Sequence, residues 1–208
     1  MHSTEPLSNW LFSKTCPYPH LYVIGLQEMI ELKVDQIVSA DTEKQRSNWE
    51  QGLNKVLNSA RTSTESLQYS YVILRSIKLV ALGIFIFVRS DNIEMIRKME
   101  VSIVMTGLGG MAGNKGGIGV SFNYNDTNLC FITAHLAAGS SNVEERNRDY
   151  KTISNGIKFS GKTIDDHDGI FWFGDFNYRI SMDGDVVRSE LAKGNMHSLT
   201  SCDQVCNY

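Results

Sequence analysis

Proline is nearly absent from this chain: there are three in 208 residues, and the last is Pro19. Cysteine is too thin for a staple. Cys16, Cys130, Cys202 and Cys206 form no Cys-x-x-Cys pair, which argues against both a disulfide scaffold and a zinc ribbon. Long apolar runs are also missing, since stretches such as Leu79 to Val88 fall well short of the ~20 residues a bilayer span needs. Met1 to Pro6 lacks the charged start and apolar stretch of a secretory signal. Basic charge is not in excess: 20 Lys+Arg against 23 Asp+Glu leave a net charge of −3, which excludes a strongly basic nucleic-acid binder. No internal repeat or low-complexity tract is present. What is there is ordinary globular composition, 42% apolar and 21% charged, enough for one α/β domain with a real core.

Periodicity places the elements. Leu21 to Leu26 is a continuous apolar run that suits a strand buried on both faces, after a turn holding Pro17 and Pro19. Trp49, Leu53, Val56 and Leu57 recur at helical spacing and predict a helix over Ser47 to Asn58, capped by Ser47 or Asn48. Tyr69 to Ser76 and Leu79 to Val88, rich in β-branched and aromatic residues, predict a strand pair. Val101 to Thr106 is a further strand, running into a glycine-rich stretch from Gly107 to Gly117 expected as a loop. Ile118 to Phe122 and Leu129 to Ala134 follow as strands. Asn142 to Phe159 is the strongest helix, with Glu144 and Glu145 first and Lys151 and Lys158 later, the order its dipole favours. Gly169 to Gly174 reads as another buried strand, and Asp183 to Lys193 as a short helix. Locally paired strands with intervening helices predict a layered α/β (α+β) sandwich.

Three apolar strands end in polar residues: Gln27-Glu28, His135, and Asp175 with Asn177. Each alone has an ordinary reading. Glu28 suits a loop start, His135 a structural hydrogen bond, and Asp175 with Asn177 a turn in which both bond local backbone. In extended chain, Asp175 and Asn177 would instead share one face. The glycine stretch lacks the spacing of a Walker loop, although its backbone and Lys115 would suit an anion. Taken together, a carboxylate for a hard cation, an aspartate for water, and Asn and His for developing oxyanions fit metal-assisted hydrolysis of a phosphate ester. Mg²⁺ suits such a site, because it takes few protein carboxylates and fills its shell with water and phosphate oxygens.

These residues carry a family resemblance. Trp172-Phe173-Gly174-Asp175-Phe176-Asn177-Tyr178-Arg179 resembles the signature of the inositol polyphosphate 5-phosphatases. Phe131 to Gly139, Glu145-Arg146-Asn147-Arg148-Asp149-Tyr150, Gly25-Leu26-Gln27-Glu28 and Gly113-Asn114-Lys115-Gly116-Gly117 are similar to the family in the same order. Leu7 to Phe12 and Val38-Ser39-Ala40-Asp41 point to its synaptojanin-like branch, and the similarity runs from about Leu7 to Gln204. The resemblance implies a four-layer α/β sandwich of the DNase I type, dependence on Mg²⁺, and removal of the 5-phosphate from phosphoinositides or inositol polyphosphates. It implies Glu28 as metal ligand, His135 as the contact to the scissile phosphate, Asp175 as the group that orients or activates water, and Asn177 as stabiliser of the transition state. Lys115, Asn114 and Arg179 are implied on the substrate side, and Met111 with its neighbours near a lipid headgroup. A cytoplasmic chain with peripheral membrane contact and no nucleic-acid partner is expected.

The departures shape the expectation. The family's first strand, with its G-T-x-N stretch, and its C-terminal P-A-W-C/T-D-R and S-D-H motifs have no counterpart in this sequence. Asp165-Asp166-His167-Asp168 precedes the Trp172 strand and is expected as an exposed turn, not a substitute. Residues 1–208 thus resemble the central part of one catalytic domain: an incomplete sandwich, expected to expose apolar surface and sheet edges. Each absent catalytic group would be worth about 10²–10⁴-fold in rate. An inactive phosphoinositide-binding fragment is the alternative from another class, and a nuclease or sphingomyelinase the alternative within the wider fold.

Overall fold

The computed structural model describes residues 6–16, 18–30, 41–59, 69–110 and 112–206. Pro17, Val38 to Ala40 and Met111, each given a part in the reading above, lie outside them.

After a single helical turn α1 (Ser8–Leu11), the chain forms strand β1 (Leu21–Leu26), helix α2 (Asp41–Ser59), and the hairpin of β2 (Tyr71–Leu79) with β3 (Leu82–Arg89). Sheet order β1-β3-β2 makes this an antiparallel three-stranded sheet. A 3-10 segment, Ser90–Met95, leads to β4 (Ile96–Thr106), the turn α3 (Gly107–Gly110), β5 (Ala112–Tyr124) and β6 (Thr127–His135). Helix α4 (Val143–Gly156) then crosses back so that β7 (Gly169–Asp175) lies parallel to β6, giving a second sheet ordered β4-β5-β6-β7. Helices α5 (Gly184–Ala192) and α6 (Met196–Thr200) follow.

Three apolar clusters define four layers. Leu53 and Leu57 of α2 pack on Phe85 and Phe87 of β3. The other face of β3, Ile84 and Ile86, meets Ile118, Val120 and Phe131 of the second sheet. The far face of that sheet, Ile132 and Ala134, packs on Ile153 and Ile157 of α4. The expected layered sandwich is therefore present, with β3 as its centre, buried from Leu82 to Val88.

Several sequence expectations need correction. Helix α2 starts six residues before Ser47, which leaves Ser47 and Asn48 inside it rather than capping it. Helix α4 ends at Gly156, so Lys158 lies beyond it and no basic residue faces its last turn. Strand β1 packs on both faces as expected, Tyr22 and Ile24 buried on the α2 side and Leu21 and Val23 partly buried against the second sheet. Strand β7, last in its sheet among the described residues, leaves Ile170 and Phe171 42% and 53% exposed, where a buried strand was expected. The glycine stretch is largely strand. Gly117 and Gly119 lie under Ile153 and Ile157, where an added Cβ would come within 2.7 and 2.8 Å of those side chains. Glycine lets the helix sit down on the sheet. His167 is buried: it shares a hydrogen bond with Ser121 Oγ at 2.7 Å, and its Nδ1 donates to the Ile164 carbonyl, with only the flanking aspartates exposed. Among the described residues no helix is long and apolar enough to cross a membrane.

Candidate active site

Register determines what meets at the end of the second sheet. In the parallel pair β6 and β7, His135 lies opposite Asp175 and Ala134 opposite Gly174. Gly116 lies opposite His135 on the other side, which brings Lys115 to the same edge. The strands therefore converge the chemistry because apolar runs of fixed register end together, and ligand sites in layered sheets gather at such ends.

His135 is 2% exposed, and its Nε2 lies 2.5 Å from Lys115 Nζ and 3.6 Å from Asp175 Oδ2. Its Nδ1 is buried and has no hydrogen-bond partner among the described residues. Burial, and then the Lys115 cation, push the imidazole below its ordinary pKa. A neutral ring accepts from Lys115 at Nε2 and keeps its own proton on Nδ1. Lys115 is also held below its ordinary value by burial, against the pull of Asp175, Glu28 and Asp149. The carboxylates of Glu28 and Asp175 thus share the field of this Lys-His pair.

Beyond Asp175 the chain turns instead of extending. Asp175 Oδ1 accepts from the Asn177 backbone N–H at 2.9 Å, and Asn177 takes φ +57°. Of the two backbone arrangements open to this pair, the local turn is the one formed. Asp175 consequently points to solvent, with its side chain 48% exposed, whereas Asn177 is buried. Asn177 Nδ2 donates to the Leu136 carbonyl at 3.0 Å, and Arg179 Nη2 donates to Asn177 Oδ1 at 2.8 Å. The Leu136 N–H in turn donates to the Asp175 carbonyl. Asp175, Asn177 and Arg179 form one hydrogen-bonded unit, and the Lys115–His135 pair stands beside it, with His135 Nε2 3.6 Å from Asp175 Oδ2.

Glu28 follows the last residues of β1, exposed and in the left-handed region at φ +54°. Its segment is tied to the second sheet by Gln27 Nε2 donating to Thr133 Oγ1, and to the first by Met29 N–H donating to the Ala81 carbonyl. Asn114 does not join the group: its Oδ1 is buried beside Gly107, without a partner among the described residues. A groove of about 480 Å³ between α2 and β2 holds no candidate residue, and in it Arg46 pairs with Glu43 and Glu50.

No cluster of three or more His, Cys, Asp or Glu ligands occurs among the described residues. The donor set at the strand ends is instead sparse and hard, one exposed glutamate and one half-exposed aspartate beside a cation-rich floor. That fits Mg²⁺, which binds through one or two carboxylates and completes its shell with water and phosphate oxygens.

The family resemblance covers Arg146 and Asp149 and ends at about Gln204, but patterning assigns none of the three a role. Yet Asp149 Oδ2 accepts from the Ala137 N–H, Arg146 donates to the carbonyls of Ala137 and Gly139, and Gln204 Oε1 accepts from Arg146 and from the Arg179 N–H. The available signal was two polar residues on the stripe of α4 that also carries Ile153.

Comparison with known proteins gives the family. The model of endonuclease/exonuclease/phosphatase family 2 matches residues 1–207. Inositol-1,4,5-trisphosphate 5-phosphatase 1 of Schizosaccharomyces pombe is 43% identical over 204 residues, covering 98% of this chain and 18% of that protein. Human synaptojanin-1 is 38% identical over 188 residues, covering 90% of this chain and 11% of that protein. The chain thus spans less than a fifth of the length of these relatives. The inositol polyphosphate 5-phosphatase domain of SPsynaptojanin, solved with inositol (1,4)-bisphosphate and a calcium ion, superposes with a TM-score of 0.80 at 40% identity, covering 96% of this chain and 55% of that one. A Cimex nitrophorin at 16% identity and a TM-score of 0.65 shares the fold alone.

Proposed function

Because the chain belongs to endonuclease/exonuclease/phosphatase family 2, we propose that it is a Mg²⁺-dependent phosphoric monoester hydrolase that removes the 5-phosphate from phosphoinositides or soluble inositol polyphosphates. The observation that carries this reading is the convergence, at the β6 and β7 ends, of the hydrogen-bonded Asp175, Asn177 and Arg179 with the Lys115–His135 pair. The named activity of the fission-yeast relative, and the inositol bisphosphate in the SPsynaptojanin complex, support the substrate class.

The residues divide the work by charge and exposure. Lys115 and Arg179 supply cations for the phosphoryl oxygens of an arriving anion. As Lys115 turns from His135 Nε2 to a phosphate oxygen, that nitrogen is freed, and a proton on it becomes a donor to the same group. The dianion then offsets the burial and repulsion that keep the ring neutral. Asp175 is half exposed, and among the described residues it is hydrogen-bonded to the following backbone through Oδ1, which leaves Oδ2, 3.6 Å from His135, to orient water for in-line attack and accept its proton. The P–O bond to water forms as the bond to the ring oxygen breaks; that oxygen takes a proton from solvent, to which Asp175 returns the one it accepted, and inorganic phosphate and the alcohol are released. Asn177, fixed through both ends of its amide, retains one N–H for the developing charge. A Mg²⁺ ion held by Glu28 would neutralise charge on the phosphoryl group.

The substrate meets the chain in the cytoplasm, as a free polyphosphate or at a membrane surface in peripheral contact. With a net charge of −3 the chain offers no general attraction to nucleic acid. The test is phosphate release from phosphatidylinositol 4,5-bisphosphate vesicles and from inositol 1,4,5-trisphosphate, with and without Mg²⁺, beside Asp175→Ala. Release that needs Mg²⁺ and is lost in the variant is expected. No release from a folded chain, or release indifferent to the substitution, overturns the reading.

A further inference from the structure

Helix α4 carries two polar side chains where its packing stripe should be apolar. Arg146 is 0% exposed and Asp149 7%, alongside Ile153. Burying a guanidinium is costly unless its donors are used. Among the described residues no carboxylate pairs with Arg146 and its buried Nε has no partner; its two Nη groups serve the loop after His135 and Gln204. Nη1 donates to the carbonyls of Ala137 at 3.2 Å and Gly139 at 2.6 Å, and Nη2 approaches that of Ser140 at 3.5 Å. Asp149 holds the same loop by the opposite kind of group, accepting the Ala137 N–H at 2.9 Å. The loop that follows His135 is thus gripped through its carbonyls and its amide at once.

Gln204 couples this loop to the other half of the site. Its Oε1 accepts from Arg146 Nη2 at 2.7 Å and from the Arg179 N–H at 3.0 Å. Its Nε2 donates to the Ser140 carbonyl at 3.3 Å and to Ser181 Oγ at 3.0 Å. Its backbone N–H donates to the Arg179 carbonyl. All four hydrogen-bonding positions of one amide are filled, two directed to each segment or its holder. Tyr178 lies under the Arg146 guanidinium at 5.6 Å and donates to Asn147 of the same helix.

We propose that Arg146 and Gln204 are positioning residues, a clamp that sets the spacing between His135 and Asn177 for the hydrolysis proposed above, on which this inference rests. Neither touches the side chains of His135, Asp175 or Asn177, and Gln204 meets Arg179 only at its backbone. They act through Leu136 to Ser140, whose Leu136 carbonyl receives the Asn177 amide, and through Arg179, whose guanidinium holds the other end of that amide. A shift of about 1 Å in such a frame costs up to about 10²-fold in rate, with little effect on ground-state binding.

The test uses the 208-residue chain carrying Gln204→Met, which keeps the length of the side chain and removes its polar atoms, beside Gln204→Glu, which keeps both acceptor bonds and loses both donors. Segment-resolved amide hydrogen exchange is read together with kcat and KM for Mg²⁺-dependent phosphate release from inositol 1,4,5-trisphosphate. Expected are faster exchange in 136–140 and 178–181 together, unchanged exchange in β3 and β5, and a kcat about 10- to 100-fold lower at nearly constant KM, with Gln204→Glu in between. Exchange that quickens only around 201–206, or equally throughout β3 and β5, overturns the clamp. So does an unchanged kcat while the two segments loosen. A wild-type chain without turnover refutes the hydrolase reading instead, and the joint or separate loosening of 136–140 and 178–181 then decides the clamp alone. Should Gln204→Met not fold, Arg146→Lys is read the same way, since an ammonium cannot span the carbonyls that the guanidinium fork bridges.

Discussion

Gly174→Ala places a single methyl group at the joint between β6 and β7. Gly174 has φ +133°, a region that residues with a Cβ rarely adopt, and it lies opposite Ala134 in the β6 and β7 ladder. An added Cβ would sit 2.1 Å from the Ala134 carbonyl oxygen and 2.9 Å from its nitrogen. That is roughly 1 Å or more inside van der Waals contact, and the obstruction is backbone, which cannot rotate away. Backbone strain and overpacking together come to about 2–6 kcal/mol, a large part of the total of about 5–15 kcal/mol available to a domain. The relief open to the ladder is to part at Ala134 and Gly174. That would move His135 from Asp175, now 3.6 Å apart, and weaken the 3.0 Å bond from the Leu136 N–H to the Asp175 carbonyl. Gly161→Ala is the control: Gly161 has φ +76° but nothing within 4 Å of an added Cβ, so it carries strain without a clash, away from the site. Urea unfolding and phosphate release, measured on both variants, should show Gly174→Ala with a much lower midpoint and a rate at least about 10-fold down. Gly161→Ala should lose only about 1 kcal/mol and keep its rate. Equal losses in the two variants, or a Gly174→Ala chain with wild-type midpoint and rate, would refute the argument that this contact sets the site.

Stability should also respond to pH at two buried groups. The pKa of His135 is depressed on folding by burial and by Lys115, so the unfolded chain binds the proton more readily, and stability is lost as pH falls below about 6.5; His135→Gln should flatten that limb in urea titrations. Asp149 behaves oppositely: burial raises its pKa, so stability falls as pH rises from the ordinary carboxylate range through the raised value, and Asp149→Asn should remove that loss. Burial pushes the Cys130 thiol to about 12, so mass-mapped alkylation of the native chain at neutral pH should spare Cys130 and modify the exposed Cys16 and Cys206. Ile153→Ala, which empties the side chain packed on Gly117, should cost about 2–5 kcal/mol by denaturant unfolding.

The layers were legible because they rest on local patterns: alternating or continuous apolar runs gave β1 to β7, and i, i+3, i+4 spacing gave α2 and α4. What stayed hidden depends on contacts distant in sequence. Gly113 to Gly117 looks like a loop because glycine usually loosens a chain, yet here its missing Cβ admits Ile153 from an element met only after folding. His167 looks exposed among three aspartates until Ser121, 46 residues earlier, meets it in the core. The edge position of β7 is set by sheet order, which no window of Gly169 to Asp175 contains. The candidate site divides along the same line. His135, Asp175 and Glu28 stand at the ends of apolar runs and announce themselves as polar residues where a strand stops. Arg146, Asp149 and Gln204 do not, since their partners lie in other segments and many are backbone groups, which leave no trace in residue identity. A polar residue at a core-facing position of a helix is the one local sign they leave. In α4 that sign appears twice, three residues apart, on the turns that face the loop after His135. Chemistry at strand ends is therefore readable from pattern, whereas the frame that holds it becomes readable only by asking why the pattern of the neighbouring helix is broken.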